Sequence, residues 1–162
     1  MKPTLYIMCG IAGSGKTFWA DKFIDYEMLS GNDVRYVSRD DIRFFLTSED
    51  EDYFAHEQKV FQRFANTLAC TLVDGFDVIA DATHMTKGSR RKLIRAIDDY
   101  GVDYNIIIVW VDASLEQCLF QNTHRTGREY VPEDVIKNMY HMFQEPSSEE
   151  DSRIREVWHV IY

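Results

Sequence analysis

Gly10-Ile11-Ala12-Gly13-Ser14-Gly15-Lys16-Thr17 decides the fold of this chain. Two glycines, Gly10 and Gly15, stand with four residues between them, and Lys16 and Thr17 follow. An apolar run, Leu5-Tyr6-Ile7-Met8-Cys9, precedes the stretch, and a helix-like run from Phe18 to Ile24 follows it. Strand, glycine loop, helix is the context a phosphate-binding loop requires. The glycines let successive backbone N–H groups turn inward around phosphate oxygens. The new helix adds its positive end. Gly13, Ser14, Gly15, Lys16 and Thr17 are therefore candidate contacts for a nucleoside triphosphate. Lys16 is placed for the β- and γ-phosphates, and the Thr17 hydroxyl for Mg²⁺. The plain alternative is a glycine-rich turn with no ligand.

Working outward, the chain alternates. Strand-like runs sit at 5–9, 34–38, 77–80, 105–111 and 157–161, and helix-like segments at 16–27, 41–46, 56–73, 89–99, 114–123 and 132–144. This pattern predicts an α/β fold with a core five-stranded parallel sheet and helices on both faces. Asn105–Val111 is nearly all apolar, as expected of a strand buried on both sides. Gly31, Gly75 and Gly101 fall between a helix and the next strand, where left-handed caps belong. Ser114 with Gln117 reads as a capping box, and Pro132 as the first turn of the last long helix. The acidic stretch 145–152 reads as a solvated loop.

With 162 residues the chain is expected to form one domain, spanning 1–162. No apolar run is long enough to span a membrane, and because the N-terminus leads straight into the first strand, no signal peptide is expected. Cys9, Cys70 and Cys118 lack metal-ligand or CxxC spacing. An odd cysteine count of this kind favours reduced thiols, and hence a cytoplasmic location. The net charge of −9 argues against a general nucleic-acid coat protein but leaves room for a local basic cleft.

Groups that could do chemistry gather where strands end, because open α/β sheets bind ligands at that edge. After the second strand comes Ser38-Arg39-Asp40-Asp41-Ile42-Arg43. Asp40 and Arg43 are three apart and share a helical face. A carboxylate there suits taking a proton from an attacking hydroxyl, and a guanidinium suits holding a phosphate or orienting the acceptor. The alternative is that an aspartate merely caps the helix and Arg43 is a surface charge. The third strand ends in Asp81-Ala82-Thr83-His84. Asp81 is a candidate for the Mg²⁺ shell or, more simply, an Asx turn, and His84 reads as a polar surface residue. Lys87–Arg95 carries five cations in nine residues. It reads as the wet face of a helix buried through Leu93, Ile94 and Ile97, with a phosphate-backbone contact as the minority reading. Residues 124–132 place Arg125 and Arg128 around Gly127, between two helices. That arrangement suits a helical lid that brings guanidinium groups onto a triphosphate.

The ordered set GxAGSGKT, SRDDIR, DAT and NxxR with RxxVPxDVI resembles the 5′-kinase domain of bacteriophage polynucleotide kinases, within the P-loop kinase superfamily. The resemblance runs from Leu5 to about Phe143. It implies ATP and Mg²⁺ as cofactors and nucleic-acid 5′ ends as partners. It implies Asp40 as the general base for a 5′-hydroxyl, Arg43 as the acceptor-orienting residue, Lys16 and Thr17 on donor phosphates and metal, Asp81 as an active-site support, and Arg125 as a lid arginine. Arg128 corresponds to a second lid position, although the lid here is one residue longer. The phage enzymes also carry a phosphatase domain with a DxDGT motif, and this sequence has no such motif. A kinase acting on a nucleoside, sugar or antibiotic remains the alternative, favoured by the acidic charge.

Overall fold

The computed structural model describes residues 1–162. Five strands form one parallel sheet in the order β2-β3-β1-β4-β5. They are β1 (Thr4–Cys9), β2 (Val34–Ser38), β3 (Asp77–Asp81), β4 (Asn105–Asp112) and β5 (Ile154–Ile161). The helices are α1 (Lys16–Leu29), α2 (Arg39–Leu46), α3 (Glu57–Val73), α4 (Lys87–Asp98), α5 (Leu115–Asn122) and α6 (Glu133–Met142). The expected order of elements is therefore observed. β5 begins three residues earlier than the apolar run suggested, because Ile154 pairs with Ile106 ahead of a register shift. No helix is long and apolar enough to cross a membrane.

The period of two along β1 explains both layers. Leu5, Ile7 and Cys9 face α3 and α4, joining Phe64, Leu68, Leu72, Leu93 and Ile97 in one buried cluster. Tyr6 and Met8 face the opposite way, where Ala20, Trp19 and Phe23 of α1 cover them. A smaller cluster of Ile11, Ala12, Ala113, Cys118 and Ile136 packs the glycine loop against α5 and α6. Helix signals read from the sequence recur: Ser114 and Gln117 form the capping box of α5, and Gly31, Gly75 and Gly101 have positive φ.

Two expectations fail together. Arg90, expected on a wet face, is fully buried, and Glu150, expected in a solvated loop, is its partner. Arg90 lies on the helix face of Leu93, Ile94 and Ile97, so its guanidinium is carried inward. It meets Glu150 through two bonds, Nε to Oε1 at 2.8 Å and Nη2 to Oε2 at 3.1 Å. Nη1 donates to the His84 carbonyl and Nη2 to that of Gln144. The pair ties the loop after β3 and the segment before β5 to α4. Removing one partner leaves a buried charge without compensation, which costs about 3–5 kcal/mol. Arg90→Ala should lower unfolding stability in urea by that amount. Arg90→Met with Glu150→Gln, which removes both charges, should restore most of it.

Candidate active site

The glycine loop leaves the C-terminal end of β1, at the middle of the sheet. Gly13 and Gly15 have φ of +82° and +102°. A Cβ on Gly13 would stand 2.5 Å from the Cys118 carbonyl oxygen, so no other residue fits without moving α5. Gly15 opens α1 with no side-chain cap, and the first turn of α1 has no acidic residue. The amides at that helix end are left for an anion. Ser14 Oγ is buried inside the loop with no partner, a second sign that the loop is shaped around a polar ligand. Lys16 Nζ meanwhile donates to the Gly10 and Ile11 carbonyls, each at 3.0 Å. Burial holds the lysine's pKa below its ordinary value. Asp81 and Asp40 act against burial and raise it, whereas Arg125 lowers it further, so all three predicted partners act on one ammonium group.

Asp81 is 7% exposed and ends β3, where the register Ser38↔Asp81 sets it beside the end of β2. Its Oδ2 accepts from Thr17 Oγ1 at 3.2 Å and from the Tyr36 hydroxyl. It is therefore no simple turn residue. Nowhere do three His, Cys, Asp or Glu side chains converge as a metal cage. One hydroxyl and one carboxylate beside a phosphate loop fit Mg²⁺, which keeps several waters and shares the donor's phosphates.

The capping alternative for Asp40 and Asp41 is excluded by geometry. Ser38 is the N-cap of α2, its Oγ accepting from the Asp41 amide at 3.2 Å. The Asp40 side chain is 61% exposed, yet it is held by the Arg43 guanidinium and, at 3.1 Å, by the Tyr53 hydroxyl. Arg43 is neither a surface charge nor an open phosphate holder. It is 6% exposed, with Glu57 receiving Nε at 3.0 Å and Nη2 at 2.6 Å, and Tyr53 Oη receiving Nη1 at 2.9 Å. Its guanidinium is spent on orienting Asp40, with Glu57 as counter-charge. Burial, then the nearby Asp40 charge, pushes the Tyr53 hydroxyl up to about 12, so it stays a donor. Tyr36, Tyr53 and Glu57 were not found from the sequence. None lies at a fixed spacing from the motifs, and Glu57 reaches Arg43 across an acidic loop.

The two lid arginines part company. Arg125 lines a cavity of about 1010 Å³ between the glycine loop and α5, with Gln117, Phe120, His124 and Tyr162 on the far walls. Arg128 does not enter that cavity. It donates to the Phe44 carbonyl at 3.2 Å and to that of Thr47, and it stacks 4.6 Å over the Phe44 ring. In this structure it fastens the lid to the C-terminal end of α2, whose last carbonyls lack helical partners.

His84 also departs from expectation. It is buried with φ +42°, its Nδ1 donating to the Met8 carbonyl at 2.6 Å, and its Nε2 has no partner. Together with the Gly10 amide bonded to the Thr83 carbonyl at 3.0 Å, it braces the start of the glycine loop against the loop after β3.

Loop, lid and sheet edge define the class: a P-loop nucleotide-binding protein with the fold of the P-loop kinases. The chain belongs to the AAA domain family, which it matches over residues 5–146. It is 27% identical over 146 residues to the L-seryl-tRNA(Sec) kinase of Methanococcus maripaludis. That alignment covers 89% of this chain and 54% of the relative, so the chain spans about half the relative's length. Among solved structures it is similar to Chaetomium thermophilum Kti12 in complex with ADP-AlF3, with a TM-score of 0.72 and 16% identity over 98% of this chain and 89% of the other. It is also similar to a chain of the Pnkp1/Rnl/Hen1 RNA repair complex, with a TM-score of 0.73 and 23% identity over 87% of this chain and 44% of that one.

Two measurements check this geometry. Lys16→Ala should weaken ATP binding by orders of magnitude in calorimetry while the circular dichroism spectrum stays that of the wild type. Burial holds the pKa of His84 at about 3, against 6.5 for a free imidazole. Between those values the unfolded chain binds a proton that the folded one does not. The stability contributed by the neutral ring is thus complete above pH 6.5 and falls as the pH drops towards 3, by about 1.4 kcal/mol per pH unit. His84→Asn, which tolerates the positive φ, should flatten that acid limb in urea titrations.

Proposed function

We propose that residues 1–162 act as one kinase domain that transfers the γ-phosphoryl group of ATP to the 5′-hydroxyl of a nucleic-acid end. One observation carries the reading. Asp40 is an exposed carboxylate pinned by Tyr53 and Arg43 on the sheet edge that holds the phosphate loop, and its charge is felt by Lys16. Asp40 takes the hydroxyl proton as the acceptor oxygen bonds to the γ-phosphorus. The bond from that phosphorus to the bridging oxygen breaks, and ADP leaves. Lys16, the amides of residues 13–17 and Arg125 stabilise the charge on the transferring group. Thr17 and Asp81 would hold Mg²⁺, which would neutralise phosphate charge when bound. Arg43 is a positioning residue that acts through Asp40. The RNA repair structure supports a nucleic-acid acceptor, and the relative's name, L-seryl-tRNA(Sec) kinase, supports an acceptor group carried on RNA. The net charge of −9 favours a second reading, a small-molecule hydroxyl.

A phosphate-transfer assay with labelled ATP, against 5′-hydroxyl oligonucleotides, nucleosides and sugars, separates the two. Oligonucleotides should be the best acceptors. Efficient labelling of a nucleoside or sugar with none of an oligonucleotide would transfer the assignment to the second reading. On the preferred acceptor, Asp40→Asn should reduce turnover by about 10²–10⁴ with ATP affinity little changed. Asp41→Asn should have a far smaller effect.

A further inference from the structure

The cations of α3 and α4 divide sharply. Arg90 is buried on Glu150. The others, Lys59 and Arg63 on α3 and Lys87, Arg91, Lys92 and Arg95 on α4, are all exposed. None of the molecule's ion pairs includes any of the six. The carboxylates within these helices are already engaged, Glu57 by Arg39 and Arg43 and Asp98 by Arg153. Asp74 and Asp99 stand at the C-caps, away from the site end. The two helices hold seven cations against two carboxylates, a net +5 that leaves −14 on the rest of the chain. An acidic protein gains nothing in solubility from gathering unpaired cations on one face. Such a concentration is the electrostatic footprint of a polyanion site.

The face is continuous with the site. Arg39, next to Asp40, lies 5.5 Å from the centre of the Phe61 ring, and Lys92 Nζ lies 4.4 Å from the same centre. Asp40, Arg39, Phe61 and Lys92 thus form a path from the proposed acceptor hydroxyl to α4. On α3 a groove of about 600 Å³ is lined by Lys59, Gln62, Arg63 and Asn66, with Leu46 and Tyr100. The Asn66 amide donates to the Tyr100 hydroxyl at 2.8 Å. The groove therefore offers neutral hydrogen-bonding groups between cations, which suits sugar and phosphate oxygens.

We propose that the outer face of α3 and α4 is a track for the phosphate backbone of a single-stranded nucleic acid, whose 5′ end lies at Asp40. The inference rests on the nucleic-acid reading of the site and deepens it: the acceptor is a polynucleotide, held well beyond its first nucleotide.

The test uses a quadruple variant, Lys59→Ala, Arg63→Ala, Lys92→Ala and Arg95→Ala. All four side chains are exposed, so the thermal midpoint and the KM for ATP should match the wild type. For a 20-nucleotide 5′-hydroxyl acceptor the KM should rise at least tenfold at low salt. For a dinucleotide acceptor KM and kcat should not change. The salt dependence of 20-mer binding should flatten by about 0.7 in log–log slope for each phosphate that is no longer neutralised. An unchanged 20-mer KM with normal dinucleotide turnover would overturn the track and leave the kinase reading standing. If the wild type phosphorylates no 5′-hydroxyl at all, the kinase reading fails, and fluorescence anisotropy with a labelled 20-mer then judges the track. Equal binding by wild type and variant overturns it, as does wild-type binding to phosphatidylserine vesicles with none to the oligonucleotide.

Discussion

Strand β1 lies between β3 and β4, and its backbone hydrogen-bonding groups are spent on those two neighbours. Both of its faces are covered, by α3 and α4 on one side and α1 on the other. A strand so enclosed leaves its neighbours little freedom to slip, because a shift of one residue would exchange the two buried faces. The position of the site follows from that pairing. β1 must end in the glycine loop at the middle of the sheet. The same parallel register brings Ser38 beside Asp81, so that Tyr36 of β2, Asp81 at the end of β3 and Thr17 in the first turn of α1 meet within hydrogen-bonding distance.

Around this edge the molecule uses the same residue type for opposite purposes. Arg43 and Arg90 are buried, and each is neutralised by a carboxylate on another element. Their work is positional: Arg43 holds Asp40, and Arg90 holds the loop that begins at Asp81. Arg125 and Lys16 border the cavity beside the loop, where a triphosphate would supply the missing negative charge. Arg128 belongs to the lid by sequence but to α2 by contact, so one short segment touches both the cavity beside the glycine loop and α2.

The pattern of local signals made the alternation of strands and helices, the glycine loop, the Ser114 capping box and the sheet's composition readable without coordinates. These features depend on residues within a few positions of one another. Asp81 and Thr17 were also legible as neighbours, because ends of parallel strands gather at one edge.

What the sequence alone determined was the scaffold and the chemistry available at its C-terminal edge. The tertiary structure decided which charges remain free to use that chemistry. Arg43 finds Glu57 at a separation of 14 residues, Arg90 finds Glu150 at 60, and Arg128 finds the Phe44 carbonyl at 84. No periodicity spans such distances. His84 looked like a surface histidine until the fold placed its ring against the Met8 carbonyl, 76 residues away. The physical reason is common to all four. Helix and strand periodicity come from backbone geometry, which is local. Whether a charged or polar side chain is paired, buried or left for a ligand depends on which distant groups packing brings to it.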